Sequence, residues 1–296
     1  MSCTDHHDRR HAVIVGFDDS TGARRAAQWA AAEAGARKRP LVIVHALDLH
    51  PVAATDAQQP VSSLPDRPRR ETTIRALNTL VTETRHSEPD LDVVATLAEA
   101  DARTAINAVA ARLDAELTVL GLSSDSAVPR ELFGSTVGGV VRTSDRPTVI
   151  VRGDTEPAMD GAVLIGIDGS HSAWPLLDFA FRHAAMHGNA VHAVHATGAR
   201  VPNPVGPPCS PDPDTTSAES QLDECRARYP DVPTSVGVVD DQSTQAMLGR
   251  CGAVSLVAVG RRHDPTHRMM FGPAGHAMLR QALCPVVIVP QQPNEH

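Results

Sequence analysis

The chain carries two copies of one sequence pattern, and this duplication limits what it can fold into more than any other feature. Residues 13–20 (VIVGFDDS) correspond to residues 163–170 (VLIGIDGS). Four residue pairs share one offset: Gly16 and Gly166, Asp18 and Asp168, Ser20 and Ser170, His45 and His195. The total of 296 residues suits two domains of about 150 residues each. We predict a disordered leader (1–10), a first domain (11–152), a linker (153–161) and a second domain (162–296).

Each copy alternates short apolar runs with Ala-rich or amphipathic segments. Runs such as 13–15, 41–44 and 117–120 are rich in Val, Ile and Leu and end near Gly, Asp or His. Aromatic residues are only 3% of the chain, which suits strands covered by helices. We therefore predict two α/β domains, each a five-stranded parallel, doubly wound, Rossmann-like sheet. We also expect loops over 47–69 and after Gly260, and a disordered proline-rich insert over 201–216.

Composition excludes several functional classes. The net charge of −8, without a long basic run, argues against nucleic-acid binding. No apolar run reaches the length of a membrane span, so a cytoplasmic protein is expected. The five cysteines form no C-x-x-C pair, so neither a zinc site nor a disulfide framework is predicted.

The stretch 117–136 is the strongest candidate for a binding site. An apolar strand ends at Gly121, a polar loop follows, and Gly134, Ser135 and Thr136 open a predicted helix. A loop between a strand and a helix N-terminus can hold a phosphate, because backbone N–H groups and the helix dipole favour an anion there. Asp18, just past the first strand, has two equal interpretations: a ligand for a nucleoside, or a turn residue that starts the next helix.

These residues resemble the universal stress protein family, in tandem. The resemblance rests on 13–30 and 163–172, on the ends of the second strands (LVIVHA and AVHAVHA), and on a G-x-x-G-x₉-G-[ST] motif. It implies an adenine nucleotide alpha hydrolase-like fold that binds ATP, with or without Mg²⁺. By the same resemblance the nucleotide contacts come from these positions of this sequence: Gly16, Asp18, Ala46, Leu120, Gly121, Ser124, Gly134, Ser135, Thr136 and, in the second domain, Asp168, Ala196, Gly260 and Gly272.

Both copies depart from the family motif. In the first, Ser124 stands at the middle glycine. In the second, His263 stands there, and Gly272 comes one residue early and is followed by Pro273. Proline removes a backbone N–H, which weakens a phosphate site. The basic residues from Arg261 onward could replace that backbone by charge, or the second site could be degenerate with a solvated basic loop.

We therefore predict a stress-response regulator or switch that binds an adenine nucleotide, with the first domain the better site. The resemblance also implies that the two domains pair through their fifth strands or through sheet edges, that chains form a homodimer, and that there is an unidentified protein partner. No catalytic constellation or metal site is evident, so at most slow ATP hydrolysis is expected. The alternative is a nucleotide-free stress protein that acts only through protein–protein interaction. A third reading is an enzyme that uses the second domain's basic loop.

Overall fold

The structure is a computed structural model. It describes residues 9–47, 67–122, 135–152, 160–167, 173–196, 213–239, 254–263, 269–270, 282 and 284–290. The chain forms two compact units. Unit 1 comprises residues 1–123 and 134–143, and unit 2 comprises residues 124–133 and 144–296.

Unit 1 is a parallel sheet with helices between its strands. Its strands are β1 (Val13–Gly16), β2 (Leu41–Ala46), β3 (Val93–Ala98) and β4 (Leu117–Gly121), in the order β3-β2-β1-β4. Its helices are α1 (Thr21–Arg37), α2 (Arg67–Ser87), α3 (Ala102–Arg112) and α4 (Ser135–Thr143). The apolar side chains of β1, β2 and β4 are almost fully buried, so the Val, Leu and Ile runs form the core as predicted.

Unit 2 contains the strands of the second repeat and one strand of the first. The elements in chain order are β5 (Thr148–Val151), β6 (Ala162–Ile167), α5 (Trp174–His187), β7 (Val191–Ala196), α6 (Pro213–Arg228), β8 (Thr234–Val239), β9 (Val254–His263), β10 (Met269–Met270) and β11 (Val286–Pro290). The strand order is β5-β11-β9-β6-β7-β8, with β10 beside β9. Strands β6, β7, β8, β9 and β11 are parallel, whereas β5 pairs antiparallel with β11, so the fifth strands of the repeats do pair. The predicted α/β fold is confirmed.

Local signals in the sequence explain where α1 and α3 begin. Ser20 has extended backbone and its hydroxyl accepts a hydrogen bond from the Ala23 N–H at 3.1 Å. Asp101 caps α3 in the same way, through the Thr104 N–H at 3.1 Å. Each cap satisfies a backbone donor that the first turn of a helix leaves without an intrahelical partner.

Three boundaries predicted from proline and charge were wrong. Residues 67–69 belong to α2 and not to a loop, and residues 213–216 belong to α6 and not to a disordered insert. Pro68 and Pro213 lie in the first turns of these helices, where the missing N–H has no intrahelical acceptor to lose. In unit 2, β9 continues beyond Gly260 to His263, where a loop was expected.

Arg9, within the predicted leader, forms a two-point ion pair with Asp92, at 2.7 and 3.2 Å.

None of the helices within the described ranges has the length and apolar character needed to cross a membrane.

Candidate functional site

The candidate site of unit 1 lies where three neighbouring parallel strands end. Strand β1 pairs with β2 on one side and with β4 on the other. The carboxyl ends of these strands carry Gly16, Ala46, Leu120 and Gly121, and Asp18 follows two residues after β1. In open α/β sheets, ligands bind in the crevice outside the carboxyl ends of the strands. The fold therefore brings these five predicted residues to the edge of the sheet where a ligand would bind.

Asp18 holds the turn between β1 and α1 and is exposed to solvent. Its Oδ1 atom accepts a hydrogen bond from the backbone N–H of Ser20 at 3.0 Å. Asp19, between them, adopts a left-handed conformation with φ of 66° and pairs with Arg24. The turn role of Asp18 is thus observed. It uses one carboxylate oxygen, and a carboxylate has a second oxygen that can accept from a ligand.

Close packing accounts for both glycines at the strand ends. A Cβ atom on Gly16 would lie 2.8 Å from Leu120 Cδ2 and 3.0 Å from Ile106 Cδ1. A Cβ atom on Gly121 would lie 2.2 Å from the carbonyl carbon and oxygen of Gly22, in the first turn of α1. Gly121 was predicted to lie at the strand end that opens a candidate phosphate-binding loop. The structure gives it another reason, because only glycine lets β4 end directly against the backbone of α1.

An aromatic and basic group that the sequence analysis missed surrounds the end of β2. The Phe17 ring meets the His45 imidazole edge-on, with ring centroids 6.5 Å apart, and the Arg24 guanidinium lies 5.8 Å from the Phe17 centroid. Burial lowers the pKa of His45 from its usual value, with a further lowering by the charge of Arg69; the Phe17 backbone and the charge of Asp18 oppose it. His45 is therefore mainly neutral at neutral pH. It lies near the end of β2, beside the buried ring of Phe17.

Helix α4 supplies the other part of the predicted site. It begins at Ser135, with Thr136 as its second residue, so the predicted helix start is confirmed. Ser124 and Gly134 lie outside the described residues. Backbone N–H groups of the first turn of α4 have no intrahelical acceptor, and they favour an anion.

The corresponding part of unit 2 is built differently. Gly260 lies inside β9, opposite Val289 of β11, and does not end the strand. The following residues pair with β10, with His263 opposite Met269. Ala196 ends β7 as predicted. Asp168 and Gly272 lie outside the described residues.

Arg261 lies in β9 and not in the basic loop that the sequence analysis expected there. Its side chain is buried, and its guanidinium donates a hydrogen bond to the backbone carbonyl of Ser144 at 2.6 Å. Burial lowers the pKa of this guanidinium, opposed by the charge of Asp145. A buried arginine bound to a backbone carbonyl packs within unit 2, so Arg261 lies in a strand and not in the loop that both alternatives of the sequence analysis assumed.

Comparison with known proteins agrees with the resemblance found in the sequence. The chain matches the Universal stress protein family over residues 9–152 and again over residues 160–290. The chain therefore belongs to the universal stress protein family and contains two tandem domains of it.

Relatives of the same length support this assignment. The universal stress protein Rv2005c of Mycobacterium tuberculosis is 28% identical over 96% of this chain and 98% of its own length. A universal stress protein of Mycolicibacterium smegmatis is 28% identical over 94% of this chain and 97% of its own. A crystal structure of a universal stress protein from Archaeoglobus fulgidus has the same fold, with a TM-score of 0.72 and 16% identity over 96% of this chain and 100% of that chain.

Proposed function

We propose that this protein binds an adenine nucleotide, ATP with or without Mg²⁺, in unit 1, and that binding switches its contacts in a stress response. One observation carries the proposal: β2, β1 and β4 are neighbours and end together. The residues that the family resemblance assigns to the nucleotide, Asp18, Ala46 and Leu120, therefore converge on one edge of the sheet. The backbone at Ser135 and Thr136 supplies the helix N-terminus that the resemblance assigns to the phosphates.

The residues of unit 1 fit the chemistry of a nucleotide. The free carboxylate oxygen of Asp18 can accept from a ribose hydroxyl or an adenine amino group. Leu120 is nearly buried beneath the edge and gives the site an apolar floor. A magnesium ion would accompany the phosphates and add positive charge beside them, as it does in other phosphate sites.

We further propose that unit 1 is the better of the two sites. In unit 2 the strand that corresponds to β4 does not stop at its glycine, because β9 runs on to His263 and pairs with β10. Backbone N–H groups engaged in strand pairing are less available to a phosphate. Pro273 removes another donor from the same segment. One nucleotide per chain is therefore expected.

The test compares two neighbouring carboxylates by isothermal titration calorimetry with ATP. In Asp18→Asn the amide oxygen can still accept from Ser20 N–H, so the turn is kept, but an NH₂ group replaces the second acceptor. We expect ATP affinity to fall about 10- to 100-fold, the range for a hydrogen bond to a charged group. Asp19→Asn, which removes one charge from the adjacent residue, should bind as the unchanged protein does.

Mass spectrometry of the purified protein separates this proposal from its rival. A nucleotide-free interaction protein would carry no adenine nucleotide and would show neither heat of ATP binding nor a thermal shift with ATP. The predicted homodimer is a separate question, which light scattering of the eluted peak decides with and without ATP.

A further inference from the structure

Helices α3 and α4 lie side by side and run in the same direction. In the middle of α3, Asn107 Nδ2 donates a hydrogen bond to Oγ1 of Thr143, the last residue of α4, at 2.7 Å. One turn earlier in both helices, the side chain of Arg103 lies against Gly139. The two contacts are four residues apart in each helix, so the helices are parallel and advance by one turn together. Their N-termini therefore point to the same side of unit 1.

The Arg103 side chain extends toward these N-termini. Its Cδ, Cγ and Cβ atoms would lie 2.8, 3.4 and 3.7 Å from a Cβ atom on Gly139, so its stem lies over the glycine. Its Nε atom is 3.9 Å from Oδ1 of Asp101, the N-cap of α3. Helical side chains incline toward the helix N-terminus, and this contact agrees with that direction. Since Gly139 lies one turn after Ser135, the guanidinium is carried to the level of the first turn of α4.

The guanidinium is only weakly held in this position. The side chain of Arg103 is 51% exposed, and 3.9 Å is at the limit of an ion pair. Exposed pairs of this kind contribute little to stability. The opposing carboxylate, Asp101, is already bound to the Thr104 N–H at 3.1 Å. An incoming anion would therefore compete with a weak contact.

Gly139 lowers the stability of α4, and its contact with Arg103 gives a reason for a glycine there. Glycine inside a helix is less favourable than alanine by roughly 0.5–1 kcal/mol. Alanine at this position would press on the stem of Arg103, so glycine gives the arginine its path along α4. A residue that destabilises its own helix while making room for a charged side chain points to a use for that charge.

We propose that Arg103 is the arm that binds the phosphate chain of the ligand, and that it makes the unit 1 site selective for nucleoside di- and triphosphates over the nucleoside. This inference rests on the proposed function. Arg103 and the first turn of α4 lie at the same end of two adjacent helices, so together they would offer an anion a positive charge and backbone donors.

The experiment uses the full chain and three probes: ATP, adenosine and inorganic tripolyphosphate. Arg103→Met keeps an unbranched apolar stem and removes the charge. Gly139→Ala leaves the charge and displaces the stem. Arg112→Met is the matched control, because it removes an exposed arginine from the last turn of the same helix. Dissociation constants come from calorimetry at low and moderate salt, and circular dichroism checks that each variant is folded.

We expect Arg103→Met to weaken the binding of ATP and of tripolyphosphate about 10- to 100-fold and to leave the binding of adenosine unchanged. Gly139→Ala should weaken the same two probes less, and Arg112→Met should match the unchanged protein. Equal losses for ATP and adenosine would show a structural role and overturn the proposal, as would no loss for ATP. If tripolyphosphate binds through Arg103 but ATP binds no better than tripolyphosphate, Arg103 binds phosphates as proposed, but the proposal that unit 1 binds an adenine nucleotide fails. If the unchanged protein binds none of the three probes, both fail.

Discussion

The contact between the end of β4 and the start of α1 makes Gly121→Ala the most informative change in unit 1. A Cβ atom there would lie 2.2 Å from the carbonyl group of Gly22 and 2.6 Å from the Ala23 nitrogen, and these backbone atoms cannot rotate away. Gly121 does not have a positive φ, so its backbone conformation suits alanine as well as glycine. The cost of the substitution therefore comes from the steric clash alone. Overpacking typically costs 1–3 kcal/mol. We expect a loss of about 3 kcal/mol, the upper end, because whole elements must separate.

Two other glycines of unit 1 calibrate this value. Gly16→Ala would meet the methyl groups of Leu120 and Ile106 at 2.8 and 3.0 Å, and these side chains can adjust, so about 1 kcal/mol is expected. Gly35→Ala, inside α1, would come no closer than 3.6 Å to Glu88 Oε2. This substitution should stabilise unit 1 by roughly 0.5–1 kcal/mol, because alanine favours the helix.

Tryptophan fluorescence can follow unit 1 alone during urea unfolding. Of the chain's two tryptophans, Trp29 lies buried in α1, and Trp174 begins α5 in unit 2. A Trp174→Phe background leaves Trp29 as the reporter. With a urea dependence of about 1–3 kcal/mol per molar, the Gly121→Ala midpoint should fall by about 1–3 M. An unchanged midpoint combined with lost ATP binding would refute the packing argument and return Gly121 to the role of a phosphate-approach glycine.

Two further predictions concern unit 2. Arg261→Met leaves the Ser144 carbonyl without its charged donor and should destabilise unit 2 by about 1–3 kcal/mol, measured by Trp174 fluorescence in a Trp29→Phe background, with ATP affinity unchanged. Lost ATP binding at full stability would instead restore a phosphate role for Arg261. Burial, with smaller contributions from nearby acidic residues, raises the pKa of the Cys225 thiol from 9.0 to about 11. The unfolded chain then releases this proton at lower pH than the folded one, so this contribution to stability is complete below pH 9 and declines as the pH rises toward 11. Between pH 9 and 11 the unfolding midpoint of Cys225→Ala should therefore fall less steeply with pH than that of the unchanged protein. Identical slopes for the two proteins would contradict the raised pKa of Cys225.

The sequence predicted the strands of unit 1 to within a residue or two. Val- and Ile-rich runs bounded by Gly, Pro or Asp are strong local signals, and the Ser20 cap of α1 follows from its residue type. The two prolines misjudged as loop markers show the limit of such signals. Pro68 and Pro213 are compatible with a loop and with a first helical turn, and only the apolar positions that follow decide between them.

The candidate site was predicted as a set of positions but not as a set of contacts. Asp18, Ala46 and Leu120 were placed by their strands, whose order makes them neighbours. Arg103 had no local signal, because its importance depends on Gly139 in another helix. The packing of Gly121 against α1 could not be predicted either, because the residue that it contacts, Gly22, is distant in sequence.

The difference between the two repeats lies in how far a strand is paired, and not only in which motif residues were lost. Gly121 and Gly260 follow the same apolar run, yet β4 stops at Gly121 while β9 extends past Gly260. Strand β11 pairs with β9 as far as Arg261, opposite Pro290, and β10 extends the pairing to His263. The burial of Arg261 and its bond to Ser144 favour this extension. Replacing Pro273 alone should therefore not create a second nucleotide site, because the backbone that would hold the phosphate already belongs to the sheet.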